Sequence, residues 1–115
     1  MSEENSRSGR FVDIGESTLE EALQKGCVSV IDFWAPWCRP CKTMSAVLDR
    51  VAPGFEGKIS FFKVNVDAEP SLASRFGIGS IPTLLAFKGP TPLSQFEGKI
   101  ADKDVAAWLE SLLKG

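Results

Sequence analysis

Two cysteines with two residues between them, Cys38 and Cys41, follow closely on a run of mostly apolar, β-branched residues, Val28-Ser29-Val30-Ile31-Asp32-Phe33. They directly precede an amphipathic pattern with the apolar positions of a helix, Met44, Val47, Leu48 and Val51. A chain with this order has to turn from a buried strand into a helix at the cysteines. That junction suits thiol chemistry, because the amide N–H groups at a helix N-terminus stabilise a thiolate.

A close Cys-x-x-Cys pair means redox catalysis or a metal. Zinc normally takes four ligands, and this chain offers Cys27, Cys38 and Cys41 with no histidine, so a structural zinc site within one chain is not expected. A site shared between two chains stays open. The 115 residues are 43% hydrophobic and 24% charged, enough for one soluble domain with a real core, expected over residues 11–115. The net charge of −2 comes without a Lys/Arg block, which argues against nucleic acid as a partner. Met1 to Arg10 is polar and charged and reads as a disordered tail, without the apolar stretch of a secretory signal. No later run approaches membrane-spanning length. A cytoplasmic setting is therefore the expectation, although a leader removed by processing would leave no trace, and the compartment fits three cysteines that form no disulfide framework.

Along the chain, Phe11–Ile14 alternates like a short strand, and Ser17 with Glu20 three residues on reads as the N-cap of a helix that Gly26 ends. The strand from Cys27 or Val28 to Trp34 leads into the cysteines. From Arg39 a helix with Pro40 in its first turn runs until Pro53-Gly54 stops it. Ile59–Val66 reads as a buried strand. A short helix opens at Asp67–Pro70, with Leu72, Ala73 and Phe76 inward, and closes at Gly77. Gly79-Ser80-Ile81-Pro82-Thr83 leads into Leu84–Phe87, with the proline at a strand entrance suited to a cis or edge position. Lys88–Pro92 is a turn and Leu93–Glu97 the returning strand. The last helix is expected to be capped by Asp102 and to bury Val105, Ala106, Leu109, Leu112 and Leu113, with Trp108 beside that stripe. In the order β-α-β-α-β-α-β-β-α the strand-helix-strand units predict parallel pairing and the Gly-Pro turn one antiparallel hairpin, giving a central mixed sheet with helices on both faces.

The segment Phe33-Trp34-Ala35-Pro36-Trp37-Cys38-Arg39-Pro40-Cys41-Lys42, the Ile81-Pro82-Thr83 about forty residues later and the element order resemble the thioredoxin family over residues 11 to 113. The resemblance implies an α/β thioredoxin fold, a central five-stranded mixed sheet flanked by four helices in three α/β/α layers. It implies a protein-disulfide reductase that binds no cofactor and works through a reversible Cys38–Cys41 disulfide. Its partners would be disulfide-containing proteins and thioredoxin reductase, an NADPH-linked flavoprotein, since the chain has no dinucleotide fingerprint of its own. A monomer is expected.

By the same resemblance Cys38 is the nucleophile, and Cys41, one helical turn on, resolves the mixed disulfide. Asp32, a carboxylate in an apolar strand, should have a raised pKa and carry the proton of Cys41, with Lys63 as its partner; alternatively the two simply satisfy each other. Pro82 would be a cis-proline facing the cysteines that leaves the main chain at Ile81 free to pair with an extended substrate. Trp37, Ile81, Pro82 and Gly98 would line that groove, with Trp34 packed behind the motif and Trp108 in the core.

Arg39 departs from the glycine common between the cysteines. Its charge beside Cys38 predicts a slightly less reducing potential, unless it is merely solvated, and with Pro40 it forms the redox-tuning pair inside the motif. Ala46 replaces a helix-kinking proline, so a straighter helix is expected. Glu97 and Lys99 make the groove rim beside Gly98 more polar. Cys27 reads as a small buried hydrophobe or a regulatory thiol. Two further functions fit the same features: a disulfide oxidase or isomerase in an oxidising compartment, and a thioredoxin-fold binding module independent of redox state.

Overall fold

The computed structural model describes residues 11–23 and 28–114. The expectations for the tail Met1–Arg10, for Gly26 as a helix end and for Cys27 lie outside those residues. Within them the chain forms β1 (Phe11–Asp13), α1 (Glu16–Leu23), β2 (Val28–Trp34), α2 (Arg39–Val51), a 3₁₀ turn (Ala52–Phe55), β3 (Ile59–Asn65), α3 (Pro70–Arg75), β4 (Thr83–Lys88), β5 (Thr91–Gln95) and α4 (Asp102–Lys114). The five strands lie in the order β1-β3-β2-β4-β5, with β3 parallel to both β1 and β2, and β4 antiparallel to β2 and β5. This is the expected mixed five-stranded sheet with four helices, but antiparallel pairing is not confined to the hairpin: β4, although a helix separates it from β3, also runs antiparallel to β2.

Side chains of a strand alternate between faces, and β2 supplies both cores in that way. Val28 and Val30 pack with Phe61, Leu84 and Ala86 under α2 and α4, through Met44, Val47, Leu48, Val105 and Leu109. Ile31 and Phe33 pack on the other face with Phe62, Val64 and Phe87, under Leu19, Ala22 and Leu23 of α1 and Leu72 of α3. Asp32 shares the period of Val28 and Val30. Its carboxylate therefore faces α2, the helix that carries the cysteines.

Several local expectations are corrected. Ser17 is inside α1 and does not cap it. Gly15 takes the cap position, its N–H donating to Thr18 Oγ1 at 3.0 Å, while the Glu16 N–H donates to Glu69 Oε1 at 3.4 Å. Ile14 lies beyond β1, its N–H donating to the Lys63 carbonyl at 3.0 Å. Pro53 and Gly54 sit within the 3₁₀ turn, because a proline in a first turn has no N–H to lose. β5 starts at Thr91 and contains Pro92, which is tolerated because β5 is an edge strand. The hairpin is closed by Gly89, whose φ of 57° is open to glycine, followed by Pro90. Asp102 is the first residue of α4, not its cap. Its carboxylate forms a bidentate pair with Arg50 of α2, with both N···O distances 2.8 Å, and so ties the two helices of that layer together. Leu113 is exposed and Ala106 half-buried, and Trp108 is half-buried, its indole donating to Ser94 Oγ at 3.0 Å. α2 runs unbroken past Ala46.

Candidate active site

β2 ends at Trp34, and a tight turn, in which the Cys38 N–H donates to the Ala35 carbonyl at 3.1 Å, brings the chain into α2. Cys38 is the N-cap residue of that helix. Its Sγ occupies the place a serine or aspartate oxygen takes in ordinary caps and accepts the N–H of Cys41 at 3.2 Å. Pro40 lies in the first turn, where its missing donor costs nothing. Cys38 and Cys41 are joined as a disulfide with their Cα atoms 5.3 Å apart.

Exposure does not separate the two cysteines. Cys38 is 4% exposed and Cys41 3%, because both pack with Ala35 against Trp34, Val66 and Ile81. What distinguishes Cys38 is its cap position, since the N-terminal amides of α2 and the positive end of its dipole bear on that sulfur.

The Ile81–Pro82 peptide bond is cis, as expected, just ahead of β4. Ile81 packs on the cysteine cluster, and its main-chain N–H and C=O make no hydrogen bond to another described residue. Trp37 is 69% exposed beside Cys38, with its indole N–H donating to Asp67 Oδ2 at 2.9 Å. Asp67 is itself fixed by an Asx turn, its N–H donating to Asn65 Oδ1 at 2.9 Å, and the adjoining Val66 N–H donates to the Trp34 carbonyl at 2.9 Å. Gly98 is exposed between the exposed Glu97 and Lys99, with the Phe96 ring filling the space a Cβ would need. Arg39 and Lys42 are exposed on the first turn of α2.

Asp32 is 2% exposed, and its Oδ1 has no hydrogen-bond partner. Burial drives its pKa from 3.8 up to about 7, with the Lys63 charge pulling the other way. Lys63 stands opposite Asp32 in the β2–β3 register. It does not pair closely with the carboxylate. Its Nζ lies over the Trp34 ring, 4.9 Å from the centroid, so the alternative in which the two residues simply satisfy each other does not hold. A cleft of about 110 Å³ lies against Asp32, lined also by Trp34, Cys41, Ser45 and Lys63. Among the described residues no group of three or more His, Cys, Asp or Glu is gathered to hold a metal.

The thioredoxin family model matches residues 11–111. The chain belongs to the thioredoxin family. It is 42% identical over 101 residues to thioredoxin 1 of Nostoc sp., covering 87% of this chain and 94% of that one. It is 37% identical over 103 residues to the thioredoxin of Staphylococcus saprophyticus, covering 90% and 98%. The crystal structure of the J-Trx1 fragment of ERdj5 superposes with a TM-score of 0.87 at 16% identity, over 96% of this chain and 55% of that chain, and speaks for the fold. This thioredoxin family member is a thiol-disulfide oxidoreductase of the protein-disulfide reductase kind. Its redox centre is the Cys38–Cys41 pair, and its partners are proteins that contain disulfides.

Two residues of the site escape a first reading of the sequence. Asp67 was legible only as the start of a helix, although Asn65-Val66-Asp67 after a strand carries the signature of an Asx turn. Ser45 interrupts no pattern, but it lies four residues after Cys41 and so on the same helix face.

Proposed function

We propose that residues 11–115 act as one reductase domain in which Cys38 is the nucleophile and Cys41 the resolving thiol. The Cys38 thiolate attacks a substrate disulfide, forming a mixed disulfide and expelling one substrate thiolate, which takes a proton from solvent. Cys41 then gives its proton to the Asp32 carboxylate and attacks the Cys38 sulfur. The Cys38–Cys41 bond forms, the mixed disulfide breaks, and the second substrate thiol leaves. Two electrons pass from the dithiol to the substrate, and a thioredoxin reductase, an NADPH-linked flavoprotein, returns them in the cytoplasm. Trp37, Ile81, Pro82 and Gly98 form the groove, with the unpaired main chain of Ile81 offered to an extended peptide.

The observation that supports this order of attack is the hydrogen bond from the Cys41 N–H to Cys38 Sγ at the helix cap, an interaction that strengthens when the sulfur is an anion. Reduction of insulin disulfides tests it. Cys38→Ser is expected to abolish turnover. Cys41→Ser is expected to accumulate mixed disulfides through Cys38, from which substrates and the reductase can be recovered. Retained turnover in Cys38→Ser, or trapping by Cys38→Ser through Cys41, would reverse the assignment.

A further inference from the structure

Asp32 takes the Cys41 proton only when it is ionised, so a protonated Asp32 first has to give its proton to solvent from a side chain that is only 2% exposed. Two clefts are lined in part by Asp32. The first, of about 110 Å³, runs past Cys41 and Trp34, and the second, of about 30 Å³, lies toward Phe11, Leu48 and Asp49. Ser45 and Lys63 line both, and Ser45 carries the sole hydroxyl group in either lining. A serine inside a helix commonly bonds back to the carbonyl four residues earlier. Ser45 does not, and its hydroxyl makes no hydrogen bond to any described residue, although the side chain is only half-exposed. Asp32 Oδ1 and Trp34 Nε1, an acceptor and a donor, are also buried without partners, and both residues line the first cleft. Orphaned polar groups around a cleft of that size are the conditions under which water is held in a protein.

We infer that the Ser45 hydroxyl is a positioning residue for the reaction, ordering water in this cleft so that a proton passes between Asp32 and solvent. A hydroxyl suits the task because it donates and accepts at once and carries no charge. The charged and titratable groups around the path are Lys63 on β3 and Lys42, Asp49 and Cys41 on α2. Lys63, engaged with the Trp34 ring, favours the ionised carboxylate. It does not bond to it. This inference rests on Asp32 as the proton acceptor of Cys41.

The test is single-turnover resolution of a preformed Cys38 mixed disulfide, measured from pH 5 to 9 in light and heavy water, for the parent chain and for Ser45→Ala, Ser45→Thr and Asp32→Asn. Alanine is the better helix former, so Ser45→Ala is expected to fold at least as well as the parent. Ser45→Ala is expected to slow resolution about fivefold around neutral pH, short of the ~10²-fold that a full acid–base group contributes because water remains in the cleft, and to alter the solvent isotope effect. Ser45→Thr is expected to restore both. An unchanged rate, pH profile and isotope effect in Ser45→Ala, alongside a changed profile in Asp32→Asn, would overturn the role of Ser45 and leave Asp32 in place. An unchanged profile in Asp32→Asn would overturn the underlying assignment as well.

Discussion

Lys63 Nζ sits over the Trp34 ring, 4.9 Å from its centroid, and not against the Asp32 carboxylate that stands opposite it in the register. Asp32 is therefore held in the core without a direct cationic partner. Its character follows from desolvation, with the lysine acting only at a distance.

Stability should record this as a pH dependence. Asp32 titrates near 7 in the folded chain, against 3.8 for a free carboxyl, so the native state holds the proton more tightly than the unfolded one. The favourable contribution is complete below pH 3.8 and is lost as pH rises through 7, a span worth roughly 4 kcal/mol at most. Asp32→Asn is expected to be more stable than the parent at pH 8, with the gap closing by pH 4. Urea midpoints of the oxidised protein at both pH values check this. An equal gap at the two would trace the effect to something other than the ionisation of Asp32.

Arg39 adds a cation at the first residue of α2, next to the sulfur that becomes an anion on reduction. Replacing it with glycine is expected to make the Cys38–Cys41 couple more reducing by about 20 mV, the size of a solvent-screened charge pair. Equilibration with a glutathione buffer at low and high salt measures it. The shift should shrink as salt rises, and a shift toward less reducing values would contradict the electrostatic account.

Asp67 holds the exposed indole of Trp37. Asp67→Ala is expected to raise KM for protein disulfides about threefold with kcat little changed, since a charge-assisted hydrogen bond at an exposed position carries only part of its buried strength. Asp67→Asn keeps an acceptor oxygen and should lie close to the parent. Tryptophan fluorescence of the two variants reports whether the ring has moved, and a fall in kcat with KM unchanged would place the effect elsewhere.

Gly98 has the Phe96 ring 3.1 Å from where a Cβ would be, and that ring is backed by Trp108 in an edge contact with centroids 5.5 Å apart. Gly98→Ala is expected to cost about 1 kcal/mol as the ring is displaced. Adding Phe96→Leu should relieve part of that cost, giving a non-additive double-mutant cycle in thermal unfolding. Strict additivity would mean that the ring is not the obstacle.

The reach of the sequence follows the range of the interactions involved. Asp32 stands out because its neighbours in β2 are apolar, and the cysteine pair because it lies between a strand and a helix pattern; both depend on adjacent residues. The resemblance added Pro82, some forty residues away. The sequence could not tell that Lys63 turns to Trp34, since the lysine has both a ring and a carboxylate within reach and only packing decides. Ser17 read as a cap because a serine–glutamate spacing is a common start signal. Gly15 and Thr18 supply the bonds instead, with Glu69, distant in sequence, completing the turn. Pro92 marked a turn until its strand was known to lie at an edge.

That edge has a bearing on how the molecule lives with copies of itself. If Ile81 pairs with extended segments as proposed, a second unguarded strand that any passing chain could zip onto would compete with it. Along β5 a would-be partner strand meets Pro92, which has no N–H, and a register shift at Ala86/Phe87 in the ladder behind it. On the far side β1 covers, among the described residues, only Phe11–Asp13. Both flanks of the sheet are thus poor templates for fibre growth, and crowding such a protein to high concentration should leave its backbone recognition reserved for clients.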